Sequence, residues 1–271
     1  SSRSPRSFSV GYLCVFLTSV FGYMWWSLFA TFAAVTTATY DEKLMHFYAE
    51  LAGAAYQDRA DILAWNCSHC VDSTVEVAPG GIRVLEIDEL DGDNNATQVI
   101  VAKFKNESAC FVSFRGSSNV PNWIRNLQID TTEPSVGNFP ECPGCQIHSG
   151  FLAIWTNARD DVVNALGEVG CSGGDVYVTG HSLGAALAHL AMFTLKSEGF
   201  NIRHSFSFEA PRVGDMTFRK AFSAYFGGST PVWRLTHDRD PVVHLPPQLL
   251  GYEHVATEVF YSYTSDGALQ H

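Results

Sequence analysis

The apolar positions of this chain fall into stretches of two periods, and from Asp41 onward they read as strands interleaved with helices. Leu44, Phe47, Tyr48, Leu51 and Ala55 lie on one helical face, which predicts an amphipathic helix over Asp41 to Gln57 packed on a sheet. Asp58 to Asp72 lacks either period and is expected to be an irregular, cysteine-bearing loop. Extended runs follow over Ile82 to Ile87, Thr97 to Phe104 and Ala109 to Phe114, the first two joined by a turn with an Asp-Gly pair that favours a hairpin. That turn superficially resembles a calcium loop, but Val99 stands where the pattern needs a bidentate glutamate, so no calcium site is expected.

Helical spacing then returns three times. Val120, Trp123, Ile124 and Leu127 form a short apolar stripe, with Asn119 as N-cap and Pro121 in the first turn, where a missing N–H is harmless. Its other face carries Asn122, Arg125, Asn126 and Gln128, so the segment is either a surface helix on the core or a lid over an apolar cleft. Phe151 to Val169 and Asp215 to Phe226 are the longer helices, with strands at Ile202 to Phe208 and Val232 to Leu235. In the first of those strands, alternation sets Ile202, His204, Phe206 and Phe208 on one face. Strands alternating with helices predict a mostly parallel α/β sheet.

Between Phe151–Val169 and Ile202–Phe208 lies the densest chemical signal, Gly180-His181-Ser182-Leu183-Gly184. The β-branched run Asp175 to Thr179 precedes it and the Leu- and Ala-rich stretch Leu183 to Lys196 follows, giving strand, sharp turn and helix. A serine hydroxyl is a weak nucleophile unless held exposed on a tight turn beside a base, and G-x-S-x-G in this context builds such a turn. The helix N-terminus aims main-chain N–H groups at any oxyanion formed at Ser182.

Composition narrows the setting. At 271 residues and 46% hydrophobic, the chain can bury one large catalytic domain. A formal charge of −11 argues against a nucleic-acid partner, which needs a basic face. Arg3 and Arg6 precede an uncharged stretch from Ser7 to Tyr40, so residues 1–40 read as a cleaved signal peptide or, alternatively, an uncleaved membrane anchor, and residues 41–271 as the domain. Cys14 lies in that leader. The other six cysteines form an even set, in which Cys142 with Cys145 and Cys67 with Cys70 can each close a local loop, leaving Cys110 with Cys171, among fifteen connectivities. Zinc on Cys67, His69 and Cys70 lacks a fourth ligand, and no metal site is expected. Sequons at Asn66, Asn95 and Asn106 add to the case for export.

Taken together, Phe114 to Ser118, Asn122-Trp123-Ile124, His148 to Phe151, the GHSLG elbow, Ala210 to Gly214, Asp240 to Pro247 and Gly251 to His254 resemble the fungal-type (class 3) triacylglycerol lipases, in that family's order. The resemblance implies an α/β-hydrolase fold with flanking helices and a helical lid, and a triad in the order Ser, Asp, His. It matches Ser182 to the nucleophile and Asp240 to the acid, in preference to Asp238 two residues earlier. Ser117 and Leu183 match the oxyanion donors, and Trp123 the lid tryptophan. The family's histidine comes further beyond the acid than the residues that follow Asp240, so the base is expected beyond His271 in a C-terminally incomplete chain, with His254 and His271 as weak substitutes.

The resemblance implies a serine ester hydrolase without cofactor, acting on lipid at a lipid–water interface and needing no obligate protein partner. The family also contains feruloyl esterases, other soluble carboxylesterases and phospholipases. From a different class, a non-catalytic lipid- or wall-binding relative would retain the same fold.

Overall fold

The computed structural model describes residues 39–87, 97–135, 139–227, 230–264 and 269–271, all within one compact unit that spans 36–271. The leader, the 88–96 turn and Asn95 lie outside the described residues. The main sheet carries β1 (Val77–Ile87), β2 (Thr97–Phe104), β3 (Ala109–Phe114), β4 (Asp175–His181), β5 (Ser205–Phe208), β6 (Val232–His237), β7 (Thr257–Tyr263) and β8 (Leu269–Gln270) side by side in chain order, with a ninth, two-residue strand, Asn201–Ile202, paired to β4. β1, β2 and β3 pair antiparallel, β3 to β7 run parallel, and β8 closes antiparallel on β7. The parallel centre is what alternating strands and helices predict.

Helices α1 (Glu42–Ala54), α2 (Arg59–Leu63), α3 (Ser68–Asp72), α4 (Val120–Asn126), α5 (Ser149–Glu168), α6 (Leu183–Ser197) and α7 (Met216–Phe226) accompany the sheet. Side chains alternate across it with period two. Val99, Val101, Val112 and Phe114 join the core with α5 and α6, whereas Ile100, Ala102 and Phe111 join Leu51 and Ala54 of α1 on the other face. α6 is buried from Leu183 through Leu195, as expected for a helix apolar on every side. α1 starts at an Asp41 cap whose carboxylate accepts the N–H groups of Lys43 and Leu44.

Two expectations change. The segment after α1 is not irregular. It forms α2 and α3, because Ile62, Cys67 and Cys70 are buried against Leu51 and Ala55, which stabilises turns too short to persist alone. Nor is Ile202 to Phe208 one continuous strand. Val176 pairs with Ile202 but Thr179 pairs with Phe206, so one extra residue is inserted between these contacts. The bulge reverses the alternation, so that Ile202 packs in the α5–α6 core and Phe206 packs beside Tyr48 of α1. β7, which periodicity did not single out, extends the parallel region by pairing Trp233–His237 with Thr257–Tyr261.

Three disulfides form, Cys67–Cys70, Cys142–Cys145 and Cys110–Cys171. The last spans 61 residues, for which the chain-entropy relation gives about 4 kcal/mol of stabilisation. Replacing Cys110 and Cys171 together by alanine is therefore expected to lower the urea midpoint far more than opening Cys142–Cys145. Equal shifts would contradict the assignment. Among the described residues no helix is long and apolar enough to cross a membrane, and no cluster of His, Cys, Asp or Glu is arranged to hold a metal ion.

Candidate active site

Parallel strands end on one edge of a sheet, and the loops beyond them collect there. Ser182 follows β4 directly and is the first such group, with φ 56° and ψ −126° at the N-terminus of α6. This conformation costs a non-glycine residue about 1–3 kcal/mol and persists only where the surroundings impose it. They do so at close range. A side chain on Gly180 would collide with the main chain of Gly184, and one on Gly184 with the carbonyl of Phe114. The Ser182 N–H donates to Phe208 O of β5 at 2.9 Å. Its Oγ is buried with no hydrogen-bond partner, a hydroxyl held in place and left unengaged.

The segment after β3 lies against this turn because Phe114 pairs with Gly180. A Cβ on Gly116 would fall 3.1 Å from Ser182 Cβ and 2.5 Å from His181 O, so only glycine allows the approach. Tyr56, just beyond α1, joins the two segments: its hydroxyl accepts the Gly116 N–H at 3.0 Å and lies 2.7 Å from His181 Nδ1. Burial lowers the His181 pKa, with Asp240 pulling the other way, so the ring serves as a neutral brace. Ser117 is buried next to this contact, and its Oγ accepts the Asn119 N–H at 3.3 Å.

Beyond β6 the chain turns through His237 to Asp240. Asp238 is exposed, with a φ of 45°, and its N–H donates to Tyr261 O at 2.9 Å. Asp240 is half-buried, its N–H donating to His237 O at 3.2 Å and its Oδ1 accepting the Val242 N–H at 2.6 Å. Its charge acts on both His181 and Glu209, which places it on the elbow side of the loop. α4 follows β3 in the chain. Trp123 stacks on Phe151 at 6.2 Å, Trp123 and Leu127 pack against the core, and Val120 and Ile124 are half-buried. The Asn119 side chain caps this helix by accepting the Asn122 N–H.

Residues 111–250 match the family model described as Lipase (class 3), a span running from β3 through the Asp240 loop. The chain belongs to the class 3 lipases. It is 32% identical to the secreted mono- and diacylglycerol lipase A of Penicillium cyclopium, over 83% of this chain and 71% of that one. With the secreted mono- and diacylglycerol lipase 1 of Fusarium solani it shares 30% identity, over 83% and 65% respectively. A structure of the Rhizomucor miehei triacylglyceride lipase superposes with a TM-score of 0.66 at 28% identity, covering 84% of this chain and 83% of that one.

In this class 3 lipase the site residues singled out along the sequence separate into two groups. Ser182, Leu183, Ser117 and Asp240 gather at one edge of the sheet, with the α4 stripe packed on the adjoining core. The two weak histidines have the following surroundings. His254 is bound through Nε2 to Val243 O at 2.7 Å, and burial, aided by Arg234, pushes its pKa down to about 3. His271 packs on Tyr40 and Tyr261, with ring centroids 5.3 and 5.2 Å away. A surface cleft lined by Phe222, Val232, Trp233 and Thr257 lies at the starts of β6 and β7, the edge opposite Ser182. Sequence reading missed Tyr56 and Glu209, since neither lies in a motif; the packing of α1 brings Tyr56 to the elbow, and strand pairing brings Glu209.

Proposed function

We propose that this lipase hydrolyses acylglycerol esters at a lipid–water interface by two-step acyl transfer. The observation that carries the reading is the unpartnered Ser182 hydroxyl, held at the start of a 15-residue helix with an apolar-faced helix packed nearby. Ser182 attacks the ester carbonyl, and a histidine takes its proton. Asp240 holds that imidazole in the required tautomer. The N–H groups of Ser117 and Leu183 receive the oxyanion, each such donor contributing about 2.7–4 kcal/mol in comparable sites. Water then attacks the acyl-enzyme and releases the fatty acid. His254 does not suit that role, since its Nε2 is bonded to Val243 O at 2.7 Å.

Acylglycerols are favoured over soluble esters by the α4 stripe and by relatives that act on mono-, di- and triacylglycerols. Opening α4 would bring Val120, Trp123, Ile124 and Leu127 to the lipid, where their burial replaces what they lose from the core. Secretion, as in the two mono- and diacylglycerol lipases, accords with three disulfides and with exposed sequon residues Asn66 and Asn106.

The test is the hydrolysis rate of the full-length secreted protein as acylglycerol concentration passes its solubility limit. A sharp rise is expected there. Trp123→Ala should lower the emulsion rate tenfold or more, since a large apolar side chain contributes about 1.5–3 kcal/mol when buried, while hydrolysis of a dissolved short ester changes little. A rate that stays flat through the limit, or a preference for aromatic esters such as methyl ferulate, would replace this reading with a soluble esterase.

A further inference from the structure

Glu209 is a carboxylate for which the acyl-transfer steps have no use. It directly follows β5, its N–H donates to Leu235 O of β6 at 2.9 Å, and its φ is 48°, in the left-handed region that a long side chain seldom adopts. Its Oε2 is buried without a hydrogen-bond partner. A buried acceptor left unpaired costs about 1–3 kcal/mol, so such an oxygen calls for a donor.

Strand order says where that donor comes from. β4, β5 and β6 are consecutive parallel neighbours, and adjacent strands lie about 4.8 Å apart. Ser182 follows β4, Glu209 follows β5 and Asp240 lies in the loop after β6. An imidazole that takes the Ser182 proton on one side and offers its other N–H to Asp240 must therefore lie across the end of β5, over Glu209. We propose that Glu209 is a positioning residue, a second carboxylate for the imidazolium beside Asp240. This inference rests on the Ser182–Asp240 reading above.

The charges around Glu209 define what it contributes. Burial and then the negative field of Asp240 push its pKa up to about 7, against the His237 N–H and Arg234 of β6. Arg234 is itself bonded to Glu258 of β7 at 3.1 Å. His189 of α6 and His254, both near Arg234, are held neutral with pKa values of about 3, and His181 of the elbow is lowered by burial. Below about pH 7 Glu209 keeps its proton and Asp240 alone carries charge; above it both are ionised and hold the imidazolium more strongly. Removing the Asp240 charge lets Glu209 ionise at lower pH and take its place.

The test is kcat/KM for p-nitrophenyl butyrate against pH, in the full-length protein and its E209Q, D240N and D240N/E209Q variants. D240N is expected to lose roughly 10²-fold, short of the about 10⁴-fold typical when a triad acid becomes its amide, and the double variant the full amount. E209Q should move the acid limb of the wild-type profile to lower pH. Glu209→Gly, which suits a left-handed φ and so preserves the turn, should reproduce that shift should E209Q fold poorly. Equal rates for D240N and the double variant, or an unmoved acid limb in Glu209→Gly, would overturn the proposal. Labelling of Ser182 by a fluorophosphonate separates the two failures: an unlabelled wild-type protein defeats the hydrolase reading itself, whereas a labelled one with equal D240N and double-variant rates defeats only the role of Glu209.

Discussion

Ser182→Ala is expected to lower kcat on any ester by about 10⁶-fold, leaving only what the oxyanion donors and substrate binding supply. The same change should make the protein more stable. Ser182 Oγ is buried without a partner, and an unsatisfied buried polar atom costs about 1–3 kcal/mol, a cost that alanine removes. The left-handed strain at φ 56° is common to serine and alanine and cancels, so the gain is that of the hydroxyl alone, a rise in Tm of about 2–4 °C for each kcal/mol. Ester hydrolysis and thermal unfolding of the one variant check both halves. A Ser182→Ala protein that is inactive and also destabilised would mean that the hydroxyl has a structural partner and is not held free for chemistry.

Gly184→Ala is expected to abolish activity by a different route. Its Cβ would overlap the carbonyl oxygen of Phe114, a main-chain atom in the centre of the sheet that cannot step aside as a side chain would. Either α6 lifts from β3 or the elbow opens, and overpacking of this kind costs about 1–3 kcal/mol or more. Since Leu183 and Ser182 share that turn and Ser117 lies on the segment after Phe114, a small shift of either misaligns the proposed nucleophile and oxyanion donors, and kcat should fall by at least about 10²-fold even in molecules that remain folded. Gly167→Ala is the matching control. Gly167 lies in the last turn of α5, where a Cβ meets nothing nearer than Ser172 Oγ at 3.6 Å, so alanine there should stabilise by about 0.4–1 kcal/mol and leave activity unchanged. Chemical denaturation of the two variants should give shifts of opposite sign; a Gly184→Ala protein as stable and active as Gly167→Ala would show that the close approach is dispensable.

The contrast between these glycines also indicates which features a reader of the chain could see. The elbow was legible because its chemistry is local: a strand, a strained turn and a helix within some twenty residues carry their own glycines and their own period. Asp240 was singled out by the family resemblance and not by any local period, whereas α4 was legible from its stripe and Asn119 cap. The helices over Glu42–Ala54 and Ser149–Glu168 followed from apolar spacing alone.

What periodicity could not reach was decided by pairing between distant strands. Alternation placed Ile202 and Phe206 on one face, and the inserted residue against β4 placed them on opposite faces, because register belongs to the pair of strands and not to either one. The helices after α1 exist because Cys67, Cys70 and Ile62 find a buried surface on α1 and the sheet, an energy that no window of residues 58–72 contains. Tyr56 and Glu209 belong to no motif, yet one hydroxyl bridges Gly116 to His181 and one carboxyl stands between the strand ends that carry Ser182 and Asp240. Local backbone chemistry is written in neighbouring residues and determined the strained Ser182 turn. The electrostatic surroundings of that serine depend on which strands lie side by side, and that only the folded sheet decides.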